Sequence, residues 1–303
     1  MRNFVFFAIV ITLLFAYVLN KSHEVVVMKH KISKHGDNED LQHYYFQNYL
    51  NLGKSKKPIV FVHTTSSQIE LCNMCIRSLI NVIGSDVDIV LYDNETVHQL
   101  IQEQDETDLC NIKNPNMLQG VDLKQWENYI KAKLLYKYGG IVMEPYFYFT
   151  KKPLRKLLYN DDLYILHHAN EGMNVSAKEM IPWINYFMSA PAKNKNTKVY
   201  MKYLEYLCTS HSSEDHKHFD KSFEKLYALK SIEPMYMGIN DANKDVIQLH
   251  QLFEAKNIQM SNSMFCLFIN IPLLEKSRHY GYVLNMNEKQ LKSMNNYLSA
   301  LMR

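Results

Sequence analysis

Short continuous apolar runs alternate along this chain with longer stretches in which apolar residues recur every three or four positions. Ile59-Val-Phe-Val62 is a run of the first kind, the pattern of a strand buried on both faces. From Ile69 to Ile83 the pattern turns helical, with Leu71, Cys75, Ser78, Leu79 and Val82 near one face. Val87-Asp-Ile-Val-Leu-Tyr92 is a second strand, Asp93-Asn94 its terminal loop, and Glu95 to Gln104 a helix. Strand, helix, strand and helix at this spacing predict a βαβ unit and hence a parallel sheet. After an irregular stretch at 105–122, Asp122 caps a helix from about Leu123 to Tyr138. Trp126, Ile130 and Leu134 form its buried stripe, and Gly139 is its stop. Ile141-Val-Met143 is the next strand and Leu163-Tyr-Ile-Leu166 another. Helices follow at Thr197–Cys208 and Phe219–Leu229, then a strand within 264–270 and a terminal helix after Asn287. The pattern is that of an α/β protein.

The amino-terminal run is of a different kind. Phe4 to Leu19 is sixteen residues without a charge, and "YVLNKSHEV" after it offers no small-x-small cleavage site. An uncleaved signal anchor over 1–22 is the first expectation and a cleaved signal the second. Residues 23–57, polar and charged, read as a stem, and 58–303 as one domain. The expected location is thus a membrane such as an endomembrane, crossed once near the N-terminus. Orientation is left open. Lys21, Lys29, Lys31 and Lys34 favour a cytosolic flank after the span, whereas a short N-terminal flank favours translocation of the body. The sequons at Asn20, Asn94 and Asn174 fit a translocated body.

Composition excludes several classes. A net charge of +3, with no basic stripe interleaved with aromatics, speaks against nucleic acid as a partner. The five cysteines contain one close pair, Cys72 and Cys75. Four-thiolate metal binding would need a second pair, and the helical spacing makes these two small apolar helix residues. His211, His216 and His218 lie in a polar, loop-like segment and read as solvated.

The stretch "KYGGIVMEPYF" (137–147) carries the candidate chemistry. It is a helix end, two glycines, a buried strand, then Glu144 followed by Pro145 and Tyr146. Carboxylates at the carboxyl ends of strands in α/β sheets are where ligands and metals dock. The plain alternative for Glu144 is a solvated carboxylate before a proline that requires an extended residue. His63 and Asp93 occupy similar strand-end positions, with a capping or core role as the alternative for His63. Of His167 and His168, adjacent after a strand, at most one faces a ligand.

In order, Pro58-Ile-Val-Phe-Val-His63, "CIRSLI" (75–80), "VDIVLYDNETVHQLI" (87–101) and "KLLYKYGGIVMEPYF" (133–147) resemble the glycosyltransferase sugar-binding family that carries a DXD motif. They are most similar to glycosyltransferase-like proteins of large DNA viruses. The core Leu135-Tyr-Lys-Tyr-Gly-Gly140 is the most specific piece, and "FMSAPAKNKNTKVYMKYLEYL" (187–207) resembles a later segment of the family. The resemblance implies a glycosyltransferase A-type fold with a mostly parallel, Rossmann-like sheet flanked by helices. It implies a nucleotide-sugar donor, a glycan or protein acceptor, and Mn²⁺ or Mg²⁺ held by carboxylates to stabilise the departing pyrophosphate. Aligned on Gly139-Gly140, the first DXD carboxylate falls on Glu144 and the last on Tyr146. The family's helix Asp and Arg fall on Asn128 and Lys131. Each ionic position is altered or lost. A phenol does not replace a carboxylate as a hard-cation ligand, and Lys131 keeps a charge without the guanidinium fork. The expected nucleotide-site residues are His63, Asp93, Asn128, Lys131 and Glu144, with Glu144 also the metal ligand; no catalytic residue is assigned. Two functions follow: nucleotide-sugar-dependent hexosyl transfer from a membrane-anchored protein, or an inactive member kept as a membrane-associated binding or virion component.

Overall fold

The structure, a computed structural model, describes residues 56–64, 69–94, 96–101, 120–153, 155–159, 161–166, 186–209, 232–254 and 258–303, with isolated positions at 41, 44 and 52. The chain divides into two compact units, Met1–Leu52 and Gly53–Arg303. All the elements named below belong to the second.

Its centre is a five-stranded mixed sheet flanked by helices. Strands β1 (Ile59–His63), β2 (Asp88–Tyr92) and β3 (Gly140–Met143) are parallel, with β1 in the middle. β5 (Tyr164–Ile165) and β6 (Phe187–Ala190) complete the order β2-β1-β3-β6-β5, with β6 antiparallel to both neighbours. The near-continuous apolar runs of β1 and β2 are explained by burial. All five residues of β1 and four of the five in β2 are buried. Between β3 and β5 the chain leaves this sheet: β4 (Phe147–Phe149) pairs antiparallel with β7 (Cys266–Phe268) in a separate two-stranded sheet.

Helix α1 (Glu70–Ile83) joins β1 to β2, α2 (Val97–Ile101) follows β2, and α3 (Gly120–Tyr138) leads into β3. The expected stripe is present, with Trp126, Ile130 and Leu134 all buried. The helix begins at Gly120, ahead of the cap expected at Asp122. Gly139 ends it with φ +70°, its N–H returning to the Leu135 carbonyl at 2.8 Å. Gly140 then enters β3 at φ +95°, where an added Cβ would stand 2.1 Å from the Ile59 carbonyl oxygen. The paired glycines therefore let a helix turn into a strand in direct backbone contact with β1. From β1 the chain crosses first to β2 and later back to β3 on the other side. The right-handed crossover rule then places α1 and α3 on opposite faces.

α3 packs on α4 (Lys195–Thr209), which covers the span expected from Thr197. α1 packs on β4 and on the C-terminal elements, where Leu71 and Cys75 join Leu267, Leu274, Leu291 and Leu298 in one buried cluster. The expected terminal helix is two short ones, Glu288–Ser293 and Tyr297–Met302. Asn287 and Asn296 each accept from a backbone N–H three residues on and so start a new helix. The expected helix at Phe219–Leu229 and residues 167–168, 211, 216 and 218 lie outside the described residues.

The single-pass anchor expected at the amino terminus is corrected. Among the described residues no helix is long and apolar enough to cross a membrane, and residues 1–22 lie outside them. The single-pass membrane location is withdrawn with it.

Candidate functional site

The parallel register builds the site. Val62 pairs with Met143, so one residue further on His63 and Glu144 stand side by side at the carboxyl ends of β1 and β3. This is where the strand order reverses about β1, the position at which ligands dock in open α/β sheets. Glu144 is fixed at its backbone as well, its N–H donating to the Tyr186 carbonyl at 2.8 Å just before β6.

His63 Nδ1 lies 3.2 Å from both carboxylate oxygens of Glu144. From the other side Lys131, on α3, donates its ammonium to Glu144 Oε1. All three side chains are at least nine-tenths buried. Neither a ligand offered at a strand end nor a solvated carboxylate describes Glu144: it is only 7% exposed and closed in by two basic groups. Burial alone would raise its carboxyl, but the charges of Lys131 and His63 and their hydrogen bonds outweigh it. The result is a pKa lowered to about 2. For His63 burial works against protonation, yet the Glu144 carboxylate wins and its pKa is raised above 6.5.

Two residues that the sequence reading did not assign to the site extend this chain of contacts. His63 Nε2 is 2.9 Å from Asn94 Oδ1, and Asn94 Nδ2 donates to Glu127 Oε1 at 3.2 Å. Asn94 was read as part of a sequon; its amide is engaged here on both sides. Glu127 stood one turn before Lys131 on the same helix, an i, i+4 spacing that was the available signal. The Tyr92 ring flanks His63 at 5.3 Å between centroids.

The remaining expected residues divide. Asn128 is buried one turn from Lys131. Asp93 is buried at the end of β2, but its Oδ1 accepts from Thr96 N at 2.6 Å and Thr96 Oγ1 at 2.8 Å. That carboxylate caps α2. Tyr146 packs edge-on to Tyr186 at 5.3 Å and against the α1–C-terminal cluster. Burial, and then the nearby charge of Glu144, hold its phenol protonated well above the ordinary range.

These donors do not fit a hard divalent cation. Glu144 is the one carboxylate at the expected metal position, and a lysine ammonium and a histidine N–H already hold its oxygens. Tyr146 supplies no anion. Mn²⁺ or Mg²⁺ would have to displace two basic groups to gain one ligand.

No protein-family model matches the chain, and no curated protein matches it. The likeness to viral proteins therefore gains no support and is set aside.

Proposed function

We propose that the chain is a glycosyltransferase-like protein of the A-type fold, taking a nucleotide-sugar donor at the carboxyl ends of β1 and β3 and transferring its hexosyl group to a glycan or protein acceptor. The observation that carries this reading is the convergence of Lys131 and His63, both buried, at the switch point of the sheet. The resemblance of residues 58–147 supports it, as does an antiparallel β6 beside the parallel strands.

The transfer needs an acceptor oxygen to form a bond to the anomeric carbon while the bond from that carbon to the diphosphate breaks. The bonding electrons leave with the diphosphate, whose oxygens take up the proton that the acceptor oxygen gives up. Lys131 and His63 supply fixed positive charge to the departing oxygens, the work that a metal does in the family the sequence resembles.

A second reading, a binding protein without turnover, is favoured by one observation. Neither carboxylate at these strand ends is positioned to take the acceptor proton: Asp93 caps α2 and Glu144 is held by Lys131 and His63. Calorimetry with a panel of nucleotide-diphosphate hexoses, followed by assays for release of free nucleotide, separates the two. Turnover that survives a metal chelator supports transfer, and binding without turnover supports the second reading. Absence of binding across the panel overturns both.

A further inference from the structure

The contacts of Glu144 are those of an anion in a binding site rather than those of a ligand offered to one. Lys131 Nζ and His63 Nδ1 approach its carboxylate from separate elements, α3 and β1, and both oxygens are engaged. Two basic groups therefore converge on one carboxylate. The orientation of His63 is imposed from behind. Asn94 must present its Oδ1 to Nε2, because its Nδ2 is committed to the Glu127 carboxylate. Nε2 therefore donates to Asn94, and Nδ1 faces a carboxylate that accepts. Both ring nitrogens are used as donors, the arrangement of an imidazolium.

We propose that Glu144 is a tethered occupant of an anion site, standing between Lys131 and His63 where the diphosphate of a ligand binds, and that Asn94 and Glu127 are positioning residues aiming His63 at that anion. The proposal rests on the nucleotide-sugar reading and adds its regulation: the ligand's phosphate oxygens displace the Glu144 carboxylate. Glu144 thus lowers affinity, the reverse of a metal ligand's effect. The groups around the site fit the exchange. Glu127 bonds Asn94 and adds its charge to that holding His63 protonated, the Asp93 carboxylate bonds Thr96, and Tyr146 is neutral.

The probe is inorganic pyrophosphate, titrated without metal into the full chain. Glu144→Gln is expected to bind it about 10-fold or more tightly than wild type, because a close charge pair no longer has to be broken. Adding Lys131→Met to that variant abolishes the gain. Asn94→Leu in the Glu144→Gln background weakens binding and moves the His63 ring ¹⁵N signals toward a neutral tautomer while the circular dichroism stays unchanged. Should Glu144→Gln not fold, Glu144→Asp, which withdraws the carboxylate by one methylene, shows a smaller gain in the same direction. Pyrophosphate binding unchanged or weakened by both Glu144 variants overturns the proposal. Nucleotide-sugar binding measured on the same proteins keeps the two ideas apart. A pyrophosphate gain with no nucleotide-sugar binding retains the tethered anion and removes the transferase reading. Nucleotide-sugar binding with no pyrophosphate gain does the opposite.

Discussion

His63 and Glu144, 81 residues apart in sequence, meet with Nδ1 3.2 Å from both carboxylate oxygens because β1 and β3 are parallel neighbours in register. The contact makes stability depend on pH at both ends of the scale. Glu144 has its pKa lowered from 4.5 to about 2, so its contribution is complete above about 4.5 and is lost as pH falls toward 2. His63 is raised above 6.5, so its contribution is complete below 6.5 and is lost as pH rises through the higher folded value. Urea denaturation from pH 3 to 9 is expected to show both limbs. Glu144→Gln flattens the acid limb and His63→Gln the alkaline one.

Lys131→Met removes one partner of a buried ion pair and leaves Glu144 with His63 alone. The expected cost is about 3–5 kcal/mol in urea denaturation at pH 7. Lys152→Met is the control: Lys152 pairs with Asp86 at 2.5 Å at the surface, and its loss is expected to cost under about 1 kcal/mol.

Tyr146→Asp places an acid where the family that the sequence resembles has its last DXD carboxylate. The site does not gain a metal ligand from it. The ring lies against Tyr186 and the C-terminal cluster, so the change buries a carboxylate beside Glu144 and empties an aromatic position. Thermal and urea melts are expected to show a loss of about 3 kcal/mol or more, while Tyr146→Phe stays within about 1 kcal/mol.

Gly140→Ala tests the close approach of β3 to β1. The new Cβ would meet the Ile59 carbonyl at 2.1 Å on a backbone at φ +95°. Destabilisation of at least about 2 kcal/mol is expected, with a lower urea midpoint and an unchanged m-value.

What the sequence disclosed follows from which interactions are local. Ile59–Val62, Ile89–Tyr92 and Ile141–Met143 announced their strands because burial on both faces leaves an uninterrupted apolar run. Gly139-Gly140 announced the helix end because backbone conformation there demands glycine. Glu144 was legible as a strand-end carboxylate, but its burial was not. Its partners sit 13 and 81 residues away, and only sheet register and the face of α3 bring them together. The same holds for Asn94 and Glu127, 33 residues apart. Tyr146 was legible as no substitute for a carboxylate, but its packing partners were not, because the C-terminal elements against it start more than 100 residues later.

The departure of β4 from the main sheet ties the chemistry to a distant foundation. Three residues after Glu144 the chain is already paired with Cys266–Phe268, and the Ile269 N–H holds the Tyr146 carbonyl at 2.8 Å. A fragment ending at Thr209 would keep every residue of the Lys131–Glu144–His63–Asn94–Glu127 chain, yet the turn carrying Glu144 would be moored on one side only. In such a fragment the carboxylate would be free to swing away from its two cations. The last quarter of the protein thus acts as the clamp that keeps the tethered anion in place, and changes far from the site, at Cys266 or Leu267, reach it through a single turn of backbone.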